Sequence, residues 1–271
     1  MVKPSMTFVK KTLTTLVLAP LVLAVIYYGY PWFHMVLLAV GAMLSWEWAH
    51  MVPNKKPCVF ALLYFLSMVF AVFIGPLSVA LMGVLLVMLV ASVKAKDEKK
   101  RKLLILGVPY ISVGLGAISL LVVNDAILFL WMLLAVWCTD IGGYVFGCSI
   151  KGPKLAPKIS PNKTWSGFFG GMILAMVVTV LFQIFIIGNG EFVFDKNMLV
   201  FGLMGAYVAV LAQIGDLVES AVKRNIGVKD SSDMIPGHGG FFDRLDSVLF
   251  TVPVFIVTAA LVEYLVIKFG F

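Results

Sequence analysis

The chain has 271 residues, of which 61% are hydrophobic and only 13% charged, with a formal net charge of +7 at pH 7 and a mean hydropathy of +1.03. Water-soluble domains carry about a quarter of their residues as charges, so this composition excludes a soluble globular protein and marks an integral membrane protein. The positive balance is read as a topology signal and not as a surface for nucleic acid.

Apolar runs close to the roughly 20 residues that a hydrocarbon core requires lie near 12–30, 32–51, 58–75, 77–93, 103–123, 127–147, 165–188, 198–219 and 247–267. The expected fold class is an all-α integral membrane protein of about nine transmembrane helices, because the short alternating segments of a barrel are missing. With the N-terminus in the cytoplasm, every Lys and Arg except Lys196 and Lys268 falls on the cytoplasmic side. That sorting follows the positive-inside rule and supports an odd number of spans. About four helices in residues 1–100 form an N-terminal part. About five in 101–271 form the part expected to be catalytic, with cytoplasmic loops at 148–163 and 220–246.

The first run, preceded by Lys10 and Lys11, resembles a signal peptide, but it lacks a clear cleavage site and a second span follows at once. It is read as a helix. Glu47, in Ser-Trp-Glu-Trp-Ala-His at the inner end of the second run, is the one acid within the apolar runs of the first hundred residues. A structural role is expected for it, with Trp46 and Trp48 suited to the membrane interface. The charged run at 94–102 is read as a solvated loop that touches anionic head groups. Cys58, Cys138 and Cys148 show no metal-ligand spacing and are taken as packing residues.

Chemistry begins in the sixth run, where Asp140 sits in an otherwise apolar stretch and Gly142 and Gly143 allow another backbone to come close. A basic loop follows with Lys151, Lys154, Lys158 and Lys163 among three prolines, which stiffen it. Pro161-Asn-Lys-Thr places a cation and a hydroxyl at the start of the seventh helix, where free N–H groups favour anions. Taken alone, this loop is equally readable as a positive-inside anchor.

The eighth run ends with Asp216, Glu219, Ser220 and Lys223 at helical spacing, so that they line one face. Beyond it come Lys229-Asp230, then Pro236-Gly-His238-Gly-Gly, then Asp243-Arg-Leu-Asp246 at the start of the ninth helix. The stretch from 216 to 246 holds six of the fourteen acidic residues. Gly237, Gly239 and Gly240 permit positive φ and expose N–H groups able to wrap phosphate oxygens. Hard carboxylates with open positions suit Mg2+, whereas one histidine without a nearby cysteine is a poor zinc site.

The ordered set from Ser220 to Asp246, together with Trp137…Asp140-Ile-Gly-Gly-Tyr and Lys154-Leu-Ala-Pro-Lys-Ile-Ser-Pro-Asn-Lys-Thr-Trp, resembles the phosphatidate cytidylyltransferases, also called CDP-diacylglycerol synthases. The similarity covers about residues 130–250. The resemblance implies Mg2+-dependent transfer of the cytidylyl group of CTP to phosphatidic acid. It leaves room for a second, monovalent cation such as K+.

On this reading the metal ligands are Asp216 and Asp243, with Asp246 as a further ligand and Asp140 as an additional candidate. Lys223, Arg224, Lys229 and Arg244 would clamp phosphates, and the Gly237–Gly240 backbone would cradle the triphosphate. His238 would donate a hydrogen bond, and Asp230 belongs to the same catalytic set. Lys154, Lys158, Ser160, Lys163, Thr164 and Ser220 would contact substrates. The expected partners are CTP, phosphatidic acid, the lipid bilayer and a second copy of the chain in a homodimer, with no nucleic acid. The expected location is a bacterial plasma membrane, with the site facing the cytoplasm. A CTP-dependent polyprenol kinase would share the cytidine-binding parts but would release CDP. A transporter would place ionisable groups near the bilayer centre within inverted repeats, and these are not seen. The CDP-alcohol phosphotransferases are disfavoured for want of their closely spaced acidic motif.

Overall fold

The computed structural model describes residues 19–73, 77–94, 98–187, 196–235 and 239–269. They form α1 (Ala19–Tyr28), then α2 (Trp32–Met51), α3 (Pro57–Phe73), α4 (Leu77–Lys94), α5 (Glu98–Asn124) and α6 (Ala126–Ser149). A hairpin of β1 (Lys154–Ala156) and β2 (Ser160–Thr164) leads into α7 (Trp165–Phe182), which runs on through a π-helical turn, Gln183–Ile187. Two long helices complete the chain, α8 (Lys196–Ile226) and α9 (Phe242–Phe269).

Among the described residues, five stretches are long and apolar enough to cross a membrane: Lys100–Asn124, Ala126–Ser149, Trp165–Ile186, Met198–Ile226 and Phe242–Leu265. The chain is therefore a multi-pass, mostly helical membrane protein. The remaining apolar helices Ala19–Tyr28, Pro57–Phe73 and Leu81–Val93 are shorter. α2 is 20 residues long, but His34 and Glu47 interrupt its apolar run.

The chain divides into two compact units, one of residues 1–126 with 222–245, the other of residues 127–221 with 246–271. In the first, α3 packs against α2, α4 and α5. Leu44, Trp48, Tyr64, Met68, Leu104 and Ile111 fill its core, each with almost no exposed surface. Two ring donors are buried with their acceptors supplied by α5. The Trp48 indole N–H donates to Leu103 O at 3.0 Å and the Tyr64 hydroxyl to Leu104 O at 2.8 Å. Without these carbonyls each buried donor would cost about 1–3 kcal/mol.

In the second unit, glycines bring α6 and α7 into backbone contact. A Cβ at Gly142 would lie 2.8 Å from Gly170 O, and one at Gly171 would lie 2.6 Å from Thr139 O. Small residues at such crossings are how helices gain close contact without side chains between them. Gly215 does the same for α8 and α9, since its Cβ would lie 3.1 Å from Ser247 Cα. Polar ties add to this packing: Gln213 Nε2 on α8 donates to Phe168 O on α7 at 3.1 Å, and the Tyr207 hydroxyl on α8 donates to Thr258 Oγ1 on α9 at 3.0 Å.

The basic segment before α7, read from sequence as a loop stiffened by prolines, is this antiparallel hairpin. Lys154 pairs with Thr164 and Ala156 with Ser160. Ile159 N closes the turn on Ala156 O at 3.1 Å, which puts Pro157 at the second turn position, where its fixed φ is suited. Pro161 is tolerated in β2 because a two-stranded ribbon has free edges. Thr164 then caps α7, its hydroxyl accepting from Gly167 N at 3.2 Å.

The α6–α7 crossing gives a graded test. Gly171→Ala should destabilise the protein by about 1–3 kcal/mol, as overpacking does, because its new methyl meets backbone. Gly143→Ala, whose Cβ would sit 3.7 Å from Gly167 O, should be close to neutral. Thermal denaturation of both variants in detergent checks the contrast.

Candidate active site

In the first unit the polar segment is built around Asp243. α8 stops at Gly227, whose φ of 91° allows a left-handed cap. Val228 N then returns to Lys223 O at 3.0 Å and Gly227 N reaches Arg224 O at 3.2 Å, the pattern that satisfies the last helical carbonyls. One turn before this stop, Lys223 Nζ lies 2.6 Å from Asp243 Oδ1, with the two side chains only 11% and 7% exposed. Asp243 Oδ2 accepts from Gly240 N at 2.8 Å, Ser231 N at 3.0 Å and Ser231 Oγ at 3.1 Å.

The glycines have a specific use here. Gly239 has a φ of 79°, and a Cβ on it would run into the Asp243 carboxylate. A Cβ on Gly240 would overlap Ser231 Oγ and Glu47 Oε1. The backbone thus closes onto carboxylates of the protein, and the Gly240 N–H anticipated for a phosphate is donated to Asp243. Pro236, Gly237 and His238 lie outside the described residues. Arg224, Lys229, Asp230 and Arg244 are exposed, and one Arg224 guanidinium nitrogen donates to Val228 O at 3.3 Å.

Glu47 also belongs to this assembly. It is fully buried and accepts from Phe241 N at 2.9 Å, Phe242 N at 2.8 Å, Ser232 Oγ at 2.5 Å and Ser231 Oγ at 3.3 Å. The structural role expected from sequence is thereby given its partners.

The second unit holds a cluster of carboxylates. Asp216, Glu219 and Asp246 each present an oxygen within 4.8 Å of the others. Glu219 is 1% exposed, while Asp216 and Asp246 are half-buried. Asp216 and Glu219 share a face of α8 because they are three residues apart. Asp246 is brought up by the close α8–α9 approach at Gly215. Lys163, on β2, places Nζ 2.6 Å from Asp216 Oδ2, and Ser220 Oγ donates to Asp216 Oδ1 at 3.2 Å.

Of the expected metal ligands, Asp216 and Asp246 therefore come together, and the third carboxylate beside them is Glu219. Its sequence signal was the helical spacing from Asp216. Asp243 is engaged by Lys223 and the loop, and Asp140 is exposed on α6. Among the expected substrate contacts, Lys154 and Lys158 are exposed on the hairpin and Ser160 is half-buried in β2, while Thr164 is spent on the α7 cap.

A sequence model of the Cytidylyltransferase family matches residues 9–262 of this chain. The chain belongs to the cytidylyltransferase family. A phosphatidate cytidylyltransferase of Haemophilus influenzae is 44% identical over 128 residues, which are 47% of this chain and 44% of the relative. Proteins of the same name from Staphylococcus haemolyticus and Staphylococcus aureus are each 44% identical, over 124 and 126 residues, which are 46% of this chain and 45% of each relative. The chain spans about half the length of the curated relatives it matches.

In this cytidylyltransferase-family chain the buried Lys223–Asp243 pair should carry a measurable coupling. Lys223→Met or Asp243→Asn alone should destabilise by about 3 kcal/mol, because each leaves the other partner in poor contact with water. The double variant should lose clearly less than the sum of the two. Denaturation of the four proteins in mixed micelles gives the coupling directly, and strict additivity would disprove the pair.

Proposed function

We propose that the protein transfers the cytidylyl group of CTP to phosphatidic acid, releasing pyrophosphate and leaving CDP-diacylglycerol in the membrane. The observation that carries this reading is the cluster of Asp216, Glu219 and Asp246 in a chain of the cytidylyltransferase family. The lipid substrate is that named for its relatives, the phosphatidate cytidylyltransferases.

In this reaction a phosphate oxygen of the lipid forms a bond to the α-phosphorus of CTP. The bond from that phosphorus to the oxygen bridging to the β-phosphate breaks, and pyrophosphate departs with the electron pair. The attacking phosphate is already ionised, so no strong base is required. The obstacle is repulsion between two polyanions, and catalysis consists of positioning and charge neutralisation.

Three clustered carboxylates fit a hard divalent cation such as Mg2+, which takes oxygen ligands and completes its shell with water and phosphate. Asp216, Glu219 and Asp246 would hold it. When bound, the cation supplies neutralisation of the charge that builds on the reacting phosphates. Lys163 and Ser220 hold Asp216 in position, and Lys163 lends a positive charge to the same cluster. Asp243 holds the Lys223 ammonium, which with Arg224, Lys229 and Arg244 is assigned to phosphate binding. Lys154 and Lys158 on the hairpin are assigned to the lipid phosphate or to pyrophosphate. The same reading includes nine spans with the N-terminus inside, a site facing the cytoplasm of a bacterial cell, a homodimer and a K+ companion ion. The inward excess of Lys and Arg and the cytosolic source of CTP support its orientation.

Purified protein supplied with phosphatidic acid and α-labelled CTP should place the label in CDP-diacylglycerol, with activity lost on chelation and restored by Mg2+. Asp246→Asn should lower kcat by about 100-fold or more in a protein that still melts cooperatively. Label recovered as CDP beside a phosphorylated lipid alcohol would replace this reading with a kinase.

A further inference from the structure

Glu47 lies far from the polar segment in sequence, yet its carboxylate completes it. All four of its donors are neutral, two main-chain amides and two serine hydroxyls. Such a donor set fixes direction as well as charge, since a hydrogen bond weakens as its donor turns away; the one Ser231 O–H is shared between Glu47 and Asp243.

Phe242 opens α9 and Phe241 stands just before it, and a helix start has N–H groups without intrahelical acceptors. The residue before α9 is Phe241, whose side chain offers no acceptor, so a carboxylate from α2 serves as the cap. A negative charge is favoured at that end of a helix. The neighbouring residue is held too: the Trp48 ring packs edge-on against Phe242 with centroids 5.1 Å apart.

From Glu47 the constraint passes to Asp243 by one residue. Ser231 Oγ lies 3.3 Å from Glu47 Oε2 and 3.1 Å from Asp243 Oδ2, and Ser231 N is 3.0 Å from the same Asp243 oxygen. Asp243 in turn holds Lys223 Nζ at 2.6 Å. We propose that Glu47 is a positioning residue, which through Ser231, Ser232 and the amides of Phe241 and Phe242 sets the first turn of α9, which carries Asp243, and hence the Lys223 ammonium. The kinetic side of this proposal rests on the cytidylyl-transfer reading; the structural side does not.

The substitution Glu47→Gln keeps the size of the side chain but turns one oxygen into an NH2 group facing N–H and O–H donors. In full-length protein in detergent, amide hydrogen exchange of residues 230–242 should then rise about tenfold, the scale of losing one hydrogen bond to a charged group. Exchange in α7 should stay at its wild-type rate. With CTP and phosphatidic acid, kcat should fall about tenfold or more while KM for phosphatidic acid stays within a factor of about three, because the loss falls on a group poised for the transition state.

Ser232→Ala removes one donor and leaves three, so it should show the same pattern at smaller amplitude, and it serves if Glu47→Gln does not accumulate. Unchanged loop exchange together with wild-type kcat in either folded variant would overturn the proposal. A uniform rise of exchange across all helices would also overturn it, in favour of general scaffolding. If wild-type protein showed no CTP-dependent turnover, the cytidylyl-transfer reading would fall, and the exchange pattern would still decide the role of Glu47.

Discussion

Opposite charges 2.6 Å apart and nearly out of contact with water, as in Lys223 and Asp243, are stable only as a pair. Removing either leaves a charge whose hydration has been given up. The surrounding structure follows from that constraint. Asp243 has lone pairs beyond the one that Lys223 takes, and Ser231 and Gly240 bring donors to them. For Gly240 to come so close, it and Gly239 must lack side chains. The glycine-rich segment is thus shaped by the carboxylates it wraps.

The second unit reaches its own charge cluster by packing. Gly215 admits α9, and Gln213 ties α8 to the α7 backbone at Phe168, so the acidic face of α8 and Asp246 meet. Three carboxylate oxygens within 4.8 Å leave a place suited to positive charge between them. Lys163 supplies part of that charge, and a hard cation is suited to the rest.

Much of this was legible in the sequence. Apolar runs at 32–51, 77–93 and 127–147 coincide with α2, α4 and α6 to within a few residues, because an unbroken apolar run of this length is too long for a strand and reads as a helix. The helical spacing of Asp216 and Glu219 placed both on one face. The hairpin was not legible, since three prolines among four lysines erase the alternation that announces strands. Nor could any local pattern reveal that Glu47 meets Phe242, 195 positions away. Such a contact is written in tertiary packing alone, and so are the bonds that Lys223, Ser231 and Gly240 make to Asp243.

The bonds of Glu47 span 184 to 195 residues of chain, which bears on how the protein is made. Contacts so distant require closing a very long loop before they return any stabilisation. Synthesis runs from the N-terminus at about 5–20 residues per second, so α2 is complete roughly ten seconds or more before Phe242 exists. During that interval the Glu47 carboxylate has none of its four eventual donors. A bare carboxylate is costly to bury, so the Glu47 end of α2 must stay hydrated until the first turn of α9 leaves the ribosome. Maturation of the loop is therefore among the last steps of biogenesis, and a nascent chain halted before residue 242 carries a wet, unsealed seam at α2.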